Sequence, residues 1–238
     1  MARWLELGKL RIEVVRKPVR NLYLSVHPPT GRVRLTAPKR ARTESLRLFA
    51  IRKLGWIQSQ QCRLRAQKRE TTRDYVERES HYVWGRRYLL HITECVAAPG
   101  IMLTPRYLRM SVRPGTNRER RARLLEAWYR NQIRGALPTL LDKWSKILDV
   151  RPRQVFVQRM KTRWGGCNAV SGNLRLNTEL AKKPPACLEY ILVHELAHLI
   201  EAHHNERFET LMDHALPGWQ TTRRNLNDLP LPGGRWKH

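Results

Sequence analysis

Acidic residues are scarce in this chain. Asp and Glu number 20 against 46 Lys and Arg, giving a formal net charge of +26 over 238 residues. Such a balance suits a polyanionic partner or substrate, such as nucleic acid, nucleotides or an anionic membrane surface. It equally suits a solvated basic surface, since net charge governs association and not fold. The basic residues are mostly Arg, spread along the whole chain without a long Lys/Arg tail. Cysteine is scarce too. Cys62, Cys95, Cys167 and Cys187 form no CxxC pair, which argues against a four-thiolate zinc site. No apolar run approaches the roughly 20 residues that span a bilayer. The opening MARWLELGKLRIEVVRK lacks the apolar core of a signal peptide. The expectation is a cytoplasmic protein with free thiols and no membrane segment. Internal repeats and low-complexity stretches are also missing. What is present is ample apolar material: 41% hydrophobic residues and 8 Trp. That excludes a disordered chain and provides for one large domain or two small ones.

The apolar periodicity changes along the chain. LRIEVVR, NLYLSV and RVRLTA, within residues 10–36, alternate apolar and polar residues. That pattern predicts half-buried antiparallel strands, punctuated by Pro28, Pro29 and Gly31. Thr43 reads as the N-cap of a helix carrying Leu46, Ala50, Leu54 and Ile57 at helical spacing. Residues 68–80 are polar and read as a linker. HYVWG, RRYLLHITEC, GIMLTP and YLRMSVRP read as short strands, with turns at Gly85 and Pro99-Gly100. A long helix is predicted from about Asn117 to Ile147, with Pro138 as a point where it can kink. VFVQRM, RWGGC and LRLN read as strands. Pro184-Pro185 opens a helix running through CLEYILVHELAHLIEA, and ERFETLMDHAL closes the pattern as a short helix. The predicted organisation has three parts: strands plus helix over 1–67, linker and hairpins over 68–115, and a core over 116–238. The fold class is α+β, with a basic, β-rich N-terminal part.

Chemistry concentrates in ILVHELAHLIEAHHNERF, residues 191–208. His194 and His198, four residues apart, fall one helical turn apart on the same face. Two imidazoles so placed can bind one tetrahedral metal ion. Glu195 lies beside that pair without being needed as a ligand, and a carboxylate there can take a proton from a metal-polarised water. The residues around them are apolar nearly all round, so the helix is expected to be buried. Buried ionisable groups need partners, and a metal supplies them. A chance HExxH on an ordinary helix is the competing reading, and the apolar context weighs against it. For a third ligand the spacing leaves Glu201, His203, His204, Glu209 and Asp213 open. Glu201 lies one turn beyond His198, where the helix axis carries it away from the metal. No Gly stands three residues after His198, which argues against the metzincin group.

The stretch from Met160 to Phe208 resembles the YgjP-like metallohydrolases. Their pattern runs RWGSC, then G-x-I-x-LN-x-x-L, a proline, YVxxHELxHL and a final H-x-x-x-F. This chain matches it with Arg163 through Cys167, Gly172 through Asn177, Tyr190 through Leu199, and His204 with Phe208. Gly166 stands where the family has Ser, and His203 where it often has Asn. The resemblance implies a zincin-like minidomain with zinc as cofactor, His204 as third ligand and peptide-bond hydrolysis as the leading reaction. It also implies that the edge of LRLN, residues 174–177, aligns an extended substrate. Core β-structure is the plain alternative for LRLN.

Arg163 and Asn177 are candidate oxyanion stabilisers, or else a loop pin and a strand end. Cys167 reads as a small buried residue near the site. The aromatic and Arg mixture of Trp84 through Tyr88 reads as core strand rather than a stacking platform. Two rivals to the peptidase reading stand. One is a metal-dependent nucleotide phosphohydrolase, since metal-activated water also attacks phosphoanhydrides. The other is a nucleic-acid-associated protein with a structural metal. Among N-terminal arginines, Arg16, Arg20, Arg32 and Arg34 are the candidates for non-specific nucleic-acid contact. The sequence leaves the oligomeric state open.

Overall fold

The computed structural model describes residues 3–27, 30–66, 72–160 and 163–229. The chain divides into two compact units, one within Met1–Glu70 and the other spanning Thr71–Leu229. No helix among the described residues is long and apolar enough to cross a membrane.

The first unit is a four-stranded sheet with helices on one face. Its strands are β1 (Arg3–Leu7), β2 (Leu10–Lys17), β3 (Tyr23–His27) and β4 (Arg32–Pro38), in the order β1-β2-β4-β3. β1 is a strand the sequence pattern did not signal. The β2–β4 pair is parallel and the outer pairs are antiparallel. Alternation sends Ile12, Val14, Val33, Leu35 and Ala37 to one face, where Leu46, Ala50 and Ile57 cover them. The predicted single helix is two, α1 (Thr43–Arg52) and α2 (Leu54–Ala66). At Lys53 the N–H bonds back to Ala50 O, and Gly55, a poor helix former, follows. Thr43 is the first helical residue rather than the cap, which is Arg42. Pro28 and Pro29 lie outside the described residues, as do residues 67–71 at the start of the expected linker.

On the opposite face Glu13 is buried and gripped by Arg34 at 2.7 Å and Arg32 at 2.9 Å. The hydrogen bond from Arg34 holds its carboxyl below the ordinary value, outweighing the opposing effect of burial. A carboxylate with a lowered folded-state pKa stabilises the fold above its unfolded value, and that stability is lost as pH falls through the folded value. Melting temperature should therefore fall in wild type between about pH 5 and pH 3. In Glu13→Gln it should be lower at neutral pH and fall less on acidification. Parallel pH profiles for the two proteins would mean the cluster contributes nothing.

The second unit begins with β5 (Ser80–Val83), β6 (Arg86–Glu94), β7 (Gly100–Leu103) and β8 (Tyr107–Val112). Their order is β5-β6-β8-β7, again with a parallel central pair flanked by antiparallel ones. The long helix α3 (Arg118–Leu148) follows, capped by Asn117, whose side chain accepts from Arg120 N–H at 3.0 Å. The helix continues through Pro138. Both units thus share a ββββα topology that sequence self-similarity did not show.

A second sheet, in the order β10-β11-β9, comprises β9 (Gln154–Gln158), β10 (Gly165–Asn168) and β11 (Asn173–Asn177). A 3-10 turn (Thr178–Lys182) leads to α4 (Pro185–Ala197), α5 (Glu206–Ala215) and α6 (Trp219–Asp228). Residues on both sides of position 115 fall in one compact unit. Leu90, Leu108 and Met110 share one core with Ile133, Leu176, Leu192 and Phe208. The β5–β6 turn is also bonded to the 3-10 turn, through Trp84 N–H to Ala181 O at 2.8 Å and Gly85 N–H to Lys182 O at 3.2 Å. That turn needs Gly85, at φ +81°.

Candidate metal centre

α4 is apolar nearly all round, so it sits in the core with Leu188, Ile191, Leu192, Val193 and Leu196 buried. Pro185 starts it, where a missing N–H costs nothing. It ends earlier than the sequence pattern predicts, at Ala197, and His198 is its C-cap. The chain then turns, and Asn205 caps α5 by accepting from Phe208 N–H at 3.0 Å. That early stop brings His204 back onto the helix. His204 Nε2 lies 3.1 Å from His194 Nε2 and 3.1 Å from His198 Nε2. The three ligand atoms all fall within 4.8 Å of one another. Buried Phe208 underlies the group, its ring 4.7 to 5.1 Å from all three imidazoles.

The protonation state suits a cation. His198 Nδ1 is 3.0 Å from Glu201 O, a pure acceptor, so Nδ1 carries the proton and Nε2 presents its lone pair. Burial, then the neighbouring His198 and His204, push His194 down to about 3 and keep it neutral. Burial likewise lowers His204, followed by His198. The three ligand nitrogens lie close enough together to hold one cation. Such a donor set fits a tetrahedral ion with one position left for water.

The other candidates lie elsewhere. His203 is outside the cluster, with its N–H on Glu201 Oε1 at 3.2 Å. Asp213 is occupied by Trp219 Nε1–H and Gln220, each at 2.8 Å. Glu209 is exposed and is not part of the cluster.

Glu195 is 5% exposed, and burial raises its carboxyl to about 8, with Arg163 pulling the other way. A dication beside it would act in the same direction as Arg163. Arg163 is itself exposed. Asn177 is fully buried, and both its N–H groups are committed, to Met160 O at 2.9 Å and Arg163 O at 2.7 Å. Its Oδ1 accepts from Met160 N–H and Glu179 N–H. It therefore holds the loop before β10 and has no donor left for a reacting oxygen. Cys167 lies on β10, half-buried, its thiol pushed up to about 11 by burial and by Glu195. LRLN is the central strand of its sheet, not an edge, and the edge beside Glu195 is β10.

Sequence reasoning missed three contributors. Tyr190 stacks on Trp219 at 6.0 Å and tilts against His194 at 5.8 Å. α6, unsignalled by any motif, brings Arg223 near enough for its charge to lower His194 and His204. The third is Gly165. A Cβ there would lie 2.5 Å from Glu195 Oε1 and 2.8 Å from both Glu195 Cγ and Ile191 Cγ2. Gly165→Ala should displace the carboxylate while sparing the histidines. The expected outcome is normal metal content by elemental analysis with turnover down about 10²-fold. Wild-type turnover would show that the seat is not critical.

Fold and histidine cluster together define an α+β protein of the zincin-like type. The chain belongs to the YgjP-like family, metallopeptidase domain, whose model matches residues 20–229. It is accordingly a metal-dependent hydrolase of the metallopeptidase type. Among solved structures it is similar to the metallopeptidase zymogen abylysin of Pyrococcus abyssi, at 22% identity and TM-score 0.35, over 37% of this chain and 90% of that one. No curated protein matches significantly.

Proposed function

We propose that this chain is a zinc-dependent metallopeptidase in which His194, His198 and His204 hold the metal and Glu195 is the general base. One observation carries the reading. Three imidazole nitrogens converge beside a buried carboxylate, itself seated on the backbone of an edge strand. Zinc, when bound, supplies a polarised water and an electrophilic partner for the scissile carbonyl. Glu195 takes the proton from the attacking water and delivers it to the leaving nitrogen. Arg163, whose charge reaches Glu195, stabilises the oxyanion as it develops. Asn177 positions Arg163 by binding its carbonyl. β10 offers its free edge to an extended polypeptide, replacing the role expected of LRLN.

The test is a paired screen. Zinc-loaded wild type and Glu195→Gln are incubated with unstructured polypeptides and with nucleoside triphosphates. Only activity missing from the variant counts. Polypeptide cleavage meets the proposal. Release of phosphate alone replaces it with the nucleotide-hydrolase reading, and neither activity leaves a structural metal.

A further inference from the structure

The basic charge of the chain recurs on one structural element used twice. Each ββββα unit covers one face of its sheet with helix and leaves the other open. In the first, the open face carries Trp4 and Tyr23, 43% and 56% exposed. Arg11 and Arg32 lie beside Trp4, their guanidinium carbons 4.4 and 5.7 Å from its ring, while Tyr23 pairs across the strands with Thr36. In the second, the cross-strand pairs are Tyr82 with Arg87, Leu89 with Tyr107, and Arg109 with both His91 and Met102. Tyr82 is 40%, Tyr107 38% and Met102 65% exposed. The correspondence runs strand by strand. An exposed aromatic stands on the first strand, Trp4 or Tyr82. A large exposed side chain stands on the third, Tyr23 or Met102. Arginines stand on the two central strands between them.

We propose that these two open sheet faces bind single-stranded nucleic acid. Exposed rings on a flat sheet offer stacking surfaces to bases, and arginine planes between them can stack as well or meet phosphates. A duplex hides its base faces and cannot use such rings. The charge fits a polyanion. Lys and Arg outnumber Glu more than fourfold between Met1 and Glu70, where Asp is absent. On the first face Glu6 and Glu13 are held by Arg11, Arg32 and Arg34. On the second, Arg87 and Arg109 have no carboxylate partner among the described residues. Arg16 takes no part, because its guanidinium binds the carbonyls of Pro38, Lys39 and Ala41.

The test uses fluorescence anisotropy of the full chain with labelled oligo(U) of about 16 nucleotides, and with a duplex of equal length, across a salt series. Three double variants are compared with wild type: Trp4→Ala/Tyr23→Ala, Tyr82→Ala/Tyr107→Ala and Arg87→Ala/Arg109→Ala. Arg47→Ala/Arg52→Ala on α1 removes the same charge from the helix-covered side of the first sheet. All are first checked for wild-type circular dichroism. The single strand should bind more tightly than the duplex. Each aromatic pair should weaken binding about tenfold or more with an unchanged salt slope. The Arg87/Arg109 pair should reduce the slope by about 1 to 2, and the α1 pair should change little. Equal affinity for duplex, wild-type affinity in both aromatic variants, or an α1 loss matching that of Arg87/Arg109 would overturn the proposal. Glu195→Gln should bind like wild type, so the outcome is independent of whether peptide cleavage is found.

Discussion

Glu195→Gln should lower polypeptide cleavage by about 10²–10⁴-fold while leaving zinc stoichiometry at the wild-type level. The separation of these two readouts is the point. Glu195 is seated against Gly165 and is not one of the three clustered ligands, so removing its charge takes no ligand from the metal. Gln keeps the size that fits against Gly165, so packing is preserved. What it removes is the ability to accept and return a proton. Elemental analysis paired with single-turnover cleavage measures both. A variant that loses metal along with activity would make Glu195 a ligand, and one that keeps full activity would remove it from the mechanism.

His194→Ala and His198→Ala should each abolish stable zinc binding, and turnover with it. Each removes one of three nitrogens and leaves a two-ligand site. Even loss of an outer hydrogen-bond partner typically costs 10–100-fold in metal affinity, so loss of a direct ligand should exceed about 10²-fold. His204→Ala should weaken binding strongly as well, since its Nε2 lies 3.1 Å from both other nitrogens. His203→Ala should leave affinity nearly intact, because His203 lies outside the cluster. Competition against a chelator ranks all four. Wild-type metal content in the His194 and His198 variants would eliminate the site. A larger loss from His203 than from His204 would mean that the other histidine closes it.

The outcome of sequence reading differed by element for identifiable reasons. α3 begins and ends within one residue of its predicted limits, because an Asn cap and a long apolar stripe are local signals. The single helix expected after Thr43 breaks at Lys53, where no proline marks the break. The apolar run of α4 suggested a helix through residue 202, yet the helix stops at Ala197. That stop depends on a return of the chain to His204, which no hydrophobic count describes. Asn177 reads in the sequence either as an oxyanion stabiliser or as a strand end, and it ends β11. Its donors are consumed by a loop fourteen to seventeen residues earlier.

By itself, the sequence determined the pairing of His194 with His198, the position of Glu195 beside them and the buried character of their helix. These follow from helix geometry, which any backbone of that composition imposes on residues four apart. Its fold class and family were legible for the same reason, through motifs confined to short stretches. Only the tertiary structure decided that Gly165 is the seat of Glu195 and that β10, not LRLN, is the edge. The same holds for Arg223 beside the histidines and for the shared strand order of the two units. Each depends on which distant segments pair, and strand pairing is set by the burial of whole faces rather than by the spacing of residues along the chain.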